Sequence, residues 1–488
     1  MLKAILTYDK GTIIIQGLAH IPFAVLDPRT NVLRALALYY SNIIEYLKQS
    51  GIEYADHVLS EEIMTLSLPS SSSQFSLRDY QQRAIDNWFR AGLRGCVVLP
   101  TGSGKTLVGM KAIEKTNAAS LVIVPTLDLM DQWSINLSKY FPNIQIGNLG
   151  GGTDDIQPIT VSTYDSAYIR ASFLGNKFQL VIFDEVHHLA AMGYRTIAEQ
   201  MAAPFRLGLT ATIEREDELH RDLPRLVGEV VFQASPDELA REKHLAPYEV
   251  ERRMVEMLPD ELEEYRRNMT LYQQCIKKLS FQRYAISLEK LIMMSGRNRT
   301  AREALMARNR AMNIALNSRA KIDELREILA ENKGVKTIIF TQHNSLVHEI
   351  SDRFFIPFIT HKTINEERQD VLKGFKEGRY MAVVTSKVLD EGVDIPDAEL
   401  GIILSGTGSA REFIQRLGRL LRPKPDNNNN NSSSISSGNY RNYKKARLIE
   451  IISSETKETL TSARRKKALK IMRDNNYYYD GGEAKRSI

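Results

Sequence analysis

The 488-residue sequence predicts an α/β protein with two parallel-sheet cores, a small N-terminal α+β domain and a helical insertion between the cores. Three observations predict this class. Apolar, strand-like segments alternate with helical ones over residues 95–233, and they do so again over 335–452. Between these stretches, residues 259–330 have helical spacing and a basic composition. A loop rich in glycine, ending in Lys-Thr, follows the first apolar strand.

The elements follow in chain order. Ile13–Ile15 predicts a strand, residues 31–50 predict a helix, and the Ser-rich stretch 68–76 predicts a linker. The Asn/Ser-rich stretch 425–438 predicts a surface loop that interrupts the second core. The predicted strands are 95–100, 120–125, 159–163, 179–184, 205–209 and 229–233 in the first core, and 335–340, 356–360, 380–385, 400–405 and 446–452 in the second. The predicted long helices of the insertion are 262–275, 281–295 and 300–329.

Composition narrows the class of protein. The net charge is only +6, but residues 252–321 carry a net +8 and residues 439–488 a net +7. Two basic segments indicate a polyanionic partner, with solvated helical faces as the alternative. The two cysteines, Cys96 and Cys275, lack metal spacing and imply no disulfide framework, which fits a reducing interior. We expect no signal peptide, no membrane-spanning helix and a cytoplasmic location.

The segment VVLPTGSGKT at residues 97–106 predicts a nucleotide site. A glycine loop between a strand and a helix places backbone N–H groups and the helix N-terminus around phosphates. Lys105 would reach the β- and γ-phosphates and the Thr106 hydroxyl would ligate Mg²⁺. The strict pattern fails at one position, where Leu99 replaces the first glycine. The predicted phosphate contacts are Thr101, Gly102, Ser103, Gly104, Lys105 and Thr106.

Two carboxylates end the apolar strand LVIFDE. Asp184 fits a second Mg²⁺ contact, and Glu185 fits the general base that polarises the attacking water. His187 and His188 follow, but neighbours in sequence point apart and no third ligand is evident, so we interpret them as polar couplers rather than a metal site.

The segment QRLGRLLR at residues 415–422 places arginines on one helical face in the second core. Arg419 and Arg422 are candidate arginine fingers for the γ-phosphate. The alternative is a surface helix with salt bridges.

Together these motifs resemble the superfamily 2 helicases, which have two RecA-like domains, and they occur in family order over residues 75–425. The resemblance assigns adenine recognition to Arg78 and Gln81, with Gln81 as the base contact. It assigns nucleotide contacts in motif V to Gly392 and Asp394, and coupling roles in motif III to Thr210 and Thr212. The remaining motifs are Ia at 124–133, Ib at 161–166, IV at 338–343, V at Thr385 with 391–396, and VI at 415–422.

Within that superfamily the chain resembles the XPB family of DNA-repair and transcription helicases, in its short archaeal form. Arg215, Glu216 and Asp217 match its RED motif, the basic insertion resembles its thumb, and the N-terminal domain resembles its damage-recognition domain. The tail at residues 462–470 is also similar. The expected domains are 1–66 (damage recognition), 75–234 (first RecA-like domain), 252–321 (thumb), 322–470 (second RecA-like domain) and 471–488 (tail).

The resemblance implies an ATP- and Mg²⁺-dependent DNA helicase or translocase with 3′→5′ polarity. It would open forked, bubble or damaged duplex DNA in nucleotide excision repair or transcription initiation. It also implies a nuclease partner in archaea, or an assembly like transcription factor IIH and a nuclear location in eukaryotes. The RED motif would act on the duplex at the junction. The thumb would hold the backbone through Arg266, Arg267, Lys277, Lys278, Arg297, Arg299 and Arg302.

Four threonines are candidate DNA-phosphate contacts because each stands beside a strand-end loop: Thr126 and Thr163 in the first core, and Thr341 and Thr385 in the second. Ordinary turn or cap hydroxyls are the alternative. Four thumb aromatics are candidates for stacking on bases, with helix packing as the alternative: Tyr265, Tyr272, Phe281 and Tyr284.

Two other functions compete with the DNA helicase. An RNA helicase would use the same two cores, but DEVHH at 184–188 in place of DEAD, and the RED motif with the thumb, argue against it. A partner-activated scaffold, in which ATP only switches conformation, is disfavoured because Lys105, Asp184, Glu185 and both candidate finger arginines are intact.

Overall fold

The computed structural model describes residues 4–60, 66, 76–215, 217–242, 244, 248–279, 286–386, 398–405, 446–459 and 462. These residues form two compact units that divide between Leu239 and Ala240. The first unit holds two sheets and the second holds one sheet and a group of long helices. Over the described ranges, no helix has the length and apolar character needed to cross a membrane.

The N-terminal sheet of the first unit is mostly antiparallel, and only its β1–β5 pair is parallel, in the order β3-β4-β2-β1-β5. Its elements are β1 (Ala4–Asp9), β2 (Thr12–Gln16), β3 (Ala24–Asp27), β4 (Val32–Leu36), α1 (Tyr40–Gln49) and β5 (Tyr54–His57). Ile13 and Ile15 of β2 pack with Ile43 and Leu47 of α1. The helix predicted over residues 31–50 is wrong in its first part, because β4 pairs with β2 and buries Leu33 and Ala35 on alternate positions.

This sheet packs directly on the first core. The Tyr8 hydroxyl lies 2.8 Å from the carbonyl oxygen of Ser172 and 3.0 Å from that of Gln200. Gly175 makes room for it, since a Cβ atom there would lie 1.9 Å from the Tyr8 hydroxyl oxygen. Ala202 of the first core joins the apolar cluster of the N-terminal sheet. The N-terminal sheet and the first core therefore share a packed, hydrogen-bonded contact.

The first core is an eight-stranded sheet in the order β13-β6-β12-β11-β7-β10-β8-β9, parallel except for its last strand. Its strands are β6 (Arg94–Val98), β7 (Ser120–Val124), β8 (Ile146–Gly150), β9 (Thr153–Asp154), β10 (Ile159–Thr163), β11 (Leu180–Asp184), β12 (Phe205–Thr210) and β13 (Val230–Gln233). Its helices are α2 (Asp79–Arg90), α3 (Lys105–Thr116), α4 (Leu127–Tyr140), α5 (Tyr164–Ile169), α6 (Ala171–Leu174), α7 (Arg195–Gln200), α8 (Leu223–Leu226) and α9 (Pro236–Arg241). Because the strands are parallel, their carboxyl ends meet at one edge, which carries the predicted motifs.

The second unit contains a six-stranded parallel sheet in the order β14-β19-β18-β15-β17-β16. Its strands are β14 (Tyr248–Val255), β15 (Thr337–Phe340), β16 (Phe358–Ile359), β17 (Ala382–Thr385), β18 (Leu400–Ile403) and β19 (Ala446–Ser453). Its helices are α10 (Pro259–Leu279), α11 (Leu288–Ser295), α12 (Arg299–Leu316), α13 (Arg319–Glu331), α14 (Asn344–Phe354) and α15 (Asn365–Glu377). The predicted fold class, with two parallel-sheet cores, a small N-terminal α+β domain and inserted helices, is confirmed.

The inserted helices pack through a stripe of small residues. Five alanines of α12 are buried: Ala301, Ala304, Ala307, Ala311 and Ala315. Tyr265 of α10 packs in the same helical group and its hydroxyl accepts a hydrogen bond from the Lys457 backbone N–H at 3.0 Å. Tyr265 is thus a packing residue in this structure, while Phe281 and Tyr284 lie outside the described residues.

The limits predicted for the insertion, 252–321, overlap the second core at both ends. β14 extends to Val255 within the sheet, and α13 contributes Ile322, Leu325 and Ile328 to the core of that sheet. A single helix was predicted over residues 300–329, but two helices are present, because the helical conformation is interrupted at Asn317 and Ser318. The insertion proper is therefore α10–α12.

Candidate active site

The phosphate-loop residues connect β6 to α3 at the carboxyl edge of the first core. Gly102 and Gly104 have φ angles of +83° and +81°, which glycine adopts without strain. Helix α3 begins at Lys105, so its N-terminus opens onto the loop. This arrangement binds phosphate groups through backbone N–H groups and the helix dipole. The structure thus places residues 101–106 as the sequence predicts, and their contacts with a nucleotide stay a prediction.

Two side chains stabilise this loop by donating hydrogen bonds to backbone carbonyls. The Ser103 hydroxyl donates to the Pro100 carbonyl at 2.6 Å, and the Lys105 ammonium donates to the Leu99 carbonyl at 3.2 Å. Leu99, which replaces the first glycine of the strict pattern, is fully buried in the core. The Thr101 hydroxyl is buried and has no hydrogen-bond partner. An orphaned donor in a glycine loop is what a phosphate oxygen would satisfy.

The residues predicted to recognise adenine contact the same loop. Gln81 is buried, and its amide nitrogen donates to the Ser103 carbonyl at 2.9 Å. Its amide oxygen accepts from the Arg78 backbone N–H at 2.9 Å, and the Tyr80 hydroxyl donates to the Ser103 carbonyl at 2.5 Å. Gln81 therefore braces the phosphate loop in this structure, and its contact with a base remains a prediction.

Asp184 ends strand β11 beside this loop. Its two carboxylate oxygens each accept a hydrogen bond, one from the Trp133 indole N–H at 2.7 Å and one from the Glu185 backbone N–H at 3.0 Å. Burial and the neighbouring Glu185 carboxylate raise the pKa of Asp184 to about 6, while the Trp133 hydrogen bond and the Lys105 charge act in the opposite direction. Lys105 and Asp184 therefore belong to one electrostatic site.

Glu185 adopts a strained backbone at this edge, with φ +47° and ψ 55°. Left-handed backbone in a residue other than glycine costs free energy and is typical of functional positions. The Thr210 hydroxyl lies 3.3 Å from the Glu185 carboxylate and 3.1 Å from Nδ1 of His187. Thr210 also meets Thr212, whose carbonyl lies 2.8 Å from the Thr210 hydroxyl. The tertiary fold thus brings motif III to the candidate base, and the role of His187 as a polar coupler stays a prediction.

The RED residues contact the same turn. The Arg215 guanidinium donates to the His187 carbonyl at 2.7 Å and makes a two-point contact with Asp217 at 2.9 and 2.7 Å. These hydrogen bonds lower the pKa of Asp217 to about 2. Glu216 lies outside the described residues. Arg215 and Asp217 therefore connect the chain after motif III to motif II, an arrangement that the sequence did not predict.

The four threonines predicted to contact DNA all have hydrogen-bond partners within the protein. Thr126 and Thr163 cap α4 and α5, accepting from the backbone N–H groups of Leu129 and Ser166 at 3.3 and 3.2 Å. In the second unit, Thr341 and Thr385 are fully buried; their hydroxyls lie 2.8 Å from the Ser405 hydroxyl and 2.9 Å from the Ser386 carbonyl. The capping role that the sequence left open is thus seen for Thr126 and Thr163, and the DNA contact of all four threonines stays a prediction.

Four predicted site residues lie outside the described part of the chain: Gly392, Asp394, Arg419 and Arg422. Two residues that the sequence did not single out belong to the site. Trp133 contacts Asp184, and the Tyr164 hydroxyl donates to the Asp184 carbonyl at 3.1 Å. Both follow strand ends, in the segments assigned to motifs Ia and Ib, but only their partners across the sheet show a role.

A glycine loop with Lys105, a buried aspartate and a strained glutamate at one edge of a parallel sheet define a P-loop ATPase of the helicase type. Three family models match the chain. They are the xeroderma pigmentosum group B helicase damage recognition domain at residues 6–58, the type III restriction enzyme res subunit at 74–215, and the ERCC3/RAD25/XPB C-terminal helicase at 321–480.

Relatives extend these matches over the chain. A protein of Sulfurisphaera tokodaii named DNA 3′-5′ translocase XPB2 is 39% identical over 462 residues, covering 94% of this chain and 99% of its own length. A Haloarcula marismortui protein named putative DNA 3′-5′ helicase Rad25 is 33% identical and covers 72% of this chain and 51% of its own length. This chain belongs to the XPB helicase family. The RNA-helicase alternative finds no support among these relatives.

A more distant relative is also similar in sequence, and a solved structure is similar in fold. A Saccharomyces cerevisiae relative, 27% identical, covers 72% of this chain and 40% of its own length; it is named general transcription and DNA repair factor IIH helicase/translocase subunit XPB/SSL2. The crystal structure of the Pyrococcus furiosus Hef helicase domain is similar in fold, with a TM-score of 0.51 at 18% identity, over 80% of this chain and 98% of that one.

Proposed function

We propose that this XPB-family helicase hydrolyses ATP in its first core and uses the energy to translocate 3′→5′ along DNA, opening the duplex in excision repair or transcription initiation. The observation that carries the proposal is the meeting of Lys105, Asp184 and Glu185 at one sheet edge, with Thr210 and His187 joined to the glutamate. The polarity and the DNA substrate come from the names of the relatives.

Each residue has a role in this proposal. The N-terminus of α3 and Lys105 bind the phosphates of ATP, which the orphaned Thr101 hydroxyl also favours. Glu185 orients the attacking water and accepts its proton. The Thr210 hydroxyl donates to this carboxylate and in turn contacts Nδ1 of His187, and these contacts would hold the glutamate in position.

Magnesium fits the same edge. A buried carboxylate at a strand end beside a Lys-Thr pair is a donor set that binds this ion together with nucleotide phosphates. Thr106 and Asp184 would hold it. Bound there, it would neutralise charge on the phosphates during transfer. Among the described residues, no group of three or more His, Cys, Asp or Glu side chains is placed to hold a metal ion.

Other roles remain proposals drawn from sequence and from the named relatives. Arg419 and Arg422 would act on the γ-phosphate, Gly392 and Asp394 on the nucleotide, and the exposed thumb arginines on the DNA backbone. An assembly like transcription factor IIH is suggested by the yeast relative's name. A nuclease partner and a cytoplasmic location stay predictions; both cysteines are buried and free, which suits a reducing compartment.

The test compares ATP hydrolysis without polymer, with single-stranded DNA, with forked DNA and with RNA of the same sequence, using Glu185→Gln as the inactive control. We expect DNA to stimulate turnover, most strongly with the fork, and the Glu185→Gln variant to lose about 10²- to 10⁴-fold in kcat. Equal stimulation by RNA would overturn the DNA assignment. Turnover that no polymer changes would favour the ATP-driven conformational switch.

A further inference from the structure

Helix α4 lies between a residue proposed to contact DNA and the Asp184 carboxylate of the candidate ATP site. It begins just after Thr126, the capping residue proposed to lie near a DNA phosphate, and it carries Trp133 two turns later. Trp133 is 1% exposed. Its indole therefore lies inside the core, between the carboxyl edge of the sheet and the helix that follows the phosphate loop.

The geometry of the indole is specific. Its N–H donates to the Asp184 carboxylate at 2.7 Å, while the other carboxylate oxygen accepts from the Glu185 backbone N–H at 3.0 Å. One donor on each oxygen fixes the plane of the carboxylate and leaves lone pairs on both oxygens for further ligands. The ring packs against Gly109 of α3, where a Cβ atom would lie 2.6 Å from the indole. Residue 109 therefore has no room for a side chain beside the ring.

We propose that Trp133 is a positioning residue that holds the Asp184 carboxylate in the orientation that binds Mg²⁺, and that it joins this carboxylate to helix α4. The inference rests on the proposed ATPase function. Groups that hydrogen-bond a metal ligand fix its orientation, and their loss costs about 10- to 100-fold in metal affinity. A core role alone predicts no such selectivity, because a phenylalanine ring would fill most of the same space.

The chain offers a matched control. Trp88 is the other tryptophan, equally buried, and its indole N–H donates to the Arg206 backbone carbonyl at 2.9 Å. Trp88→Phe therefore removes a buried indole hydrogen bond in the same unit without touching the Asp184 carboxylate. Each single variant also leaves one tryptophan as a fluorescent reporter.

The experiment measures binding of a fluorescent ADP analogue to the full chain as Mg²⁺ is titrated, which needs no turnover. For Trp133→Phe we expect the half-saturating Mg²⁺ concentration to rise about 10- to 100-fold, with affinity for the analogue in EDTA within about 2-fold of wild type. For Trp88→Phe we expect the wild-type Mg²⁺ dependence. In that variant, emission from Trp133 should change when Mg²⁺ is added to the ADP-bound protein.

Three outcomes would overturn the inference. The first is an unchanged Mg²⁺ dependence in Trp133→Phe, and the second is the same shift in both variants, which would show a general packing effect. The third, which holds even if Trp133→Phe fails to fold, is Trp133 emission that does not respond to Mg²⁺. Failure of the proposed function would look different. In that case the wild-type protein and Asp184→Asn would give the same result, with binding of the analogue independent of Mg²⁺ in both.

Discussion

Arg215 offers the sharpest test of how the RED motif acts. Its guanidinium contacts the His187 carbonyl and both carboxylate oxygens of Asp217 at once. A lysine in its place keeps the charge and the pairing with Asp217, but its single ammonium group cannot at the same time replace the hydrogen bond to the His187 carbonyl. Arg215→Lys should therefore break the connection between the RED segment and the turn after Glu185.

The size of the effect follows from the contact that is lost. A hydrogen bond from a charged group is worth about 1.5–3 kcal/mol. The Arg215 side chain is only 19% exposed, so water replaces little of that contact. If the whole loss falls on the arrangement competent for hydrolysis, kcat drops about 10- to 150-fold. The contact with Asp217 is more exposed and adds little to this figure.

The assay is steady-state ATP hydrolysis at saturating forked DNA, which yields kcat and the KM for ATP. We expect Arg215→Lys to lower kcat by this factor with the KM for ATP within about 2-fold of wild type. Arg221→Lys is the matched control, since the Arg221–Glu218 pair is solvent-exposed on both sides and contributes little.

Two results would refute this reasoning. One is a kcat for Arg215→Lys within about 2-fold of wild type at both limiting and saturating DNA. The other is a defect that saturating DNA removes completely, because Arg215 would then act on the DNA, as the resemblance to the XPB family implies, and not on the turn after Glu185.

Two further predictions concern stability. Lys321 and Glu458 form a fully buried ion pair, in which the ammonium also donates to the Leu404 carbonyl at 2.7 Å. Glu458→Gln should lower the local stability by about 3–5 kcal/mol, which faster hydrogen exchange over residues 446–453 would measure. The double variant Lys321→Met with Glu458→Leu should restore most of the lost stability. Equal loss in the single and double variants would contradict this. Gly175→Ala should separate the N-terminal sheet from the first core, since the added Cβ atom would lie 2.2 Å from the Gln200 carbonyl oxygen. Limited proteolysis of this variant should then release the N-terminal segment. If the variant resists proteolysis as well as the wild type does, the contact is not made as described.

Most of the strands that the sequence predicted in the two cores share one property. Strands such as β7 and β11 are buried along their whole length, because a parallel sheet is covered on both faces, and they appear in sequence as unbroken apolar runs. The strands that were missed differ. β14 lies at the edge of its sheet and has the sequence YEVERRMV, whose charged residues interrupt the apolar run that would predict a strand. β8 contains two glycines and an asparagine in five residues. Edge strands face less of the core and need fewer apolar residues.

The residues of the candidate site also divide into those that the sequence predicted and those that it did not. The positions of Lys105, Asp184 and Glu185 follow from local chain features, a loop that opens a helix and a strand that ends in two acids, so their types and spacing predicted them. The roles of Trp133 and Arg215 depend on partners 51 and 28 residues away along the chain. Hydrogen bonds between such distant residues leave no periodic signal in the sequence.

By itself, then, the sequence determined the class of fold, the order of the motifs and the ATP-binding loop with its acids, because each is encoded within one strand, loop or helix. Only the tertiary structure decided what surrounds those acids: the indole that fixes Asp184, the threonine and histidine beside Glu185, and the arginine that holds the turn after them. The physical reason is that a parallel sheet brings the carboxyl ends of strands from distant parts of the chain to one edge, where short-range hydrogen bonds form that no local pattern specifies.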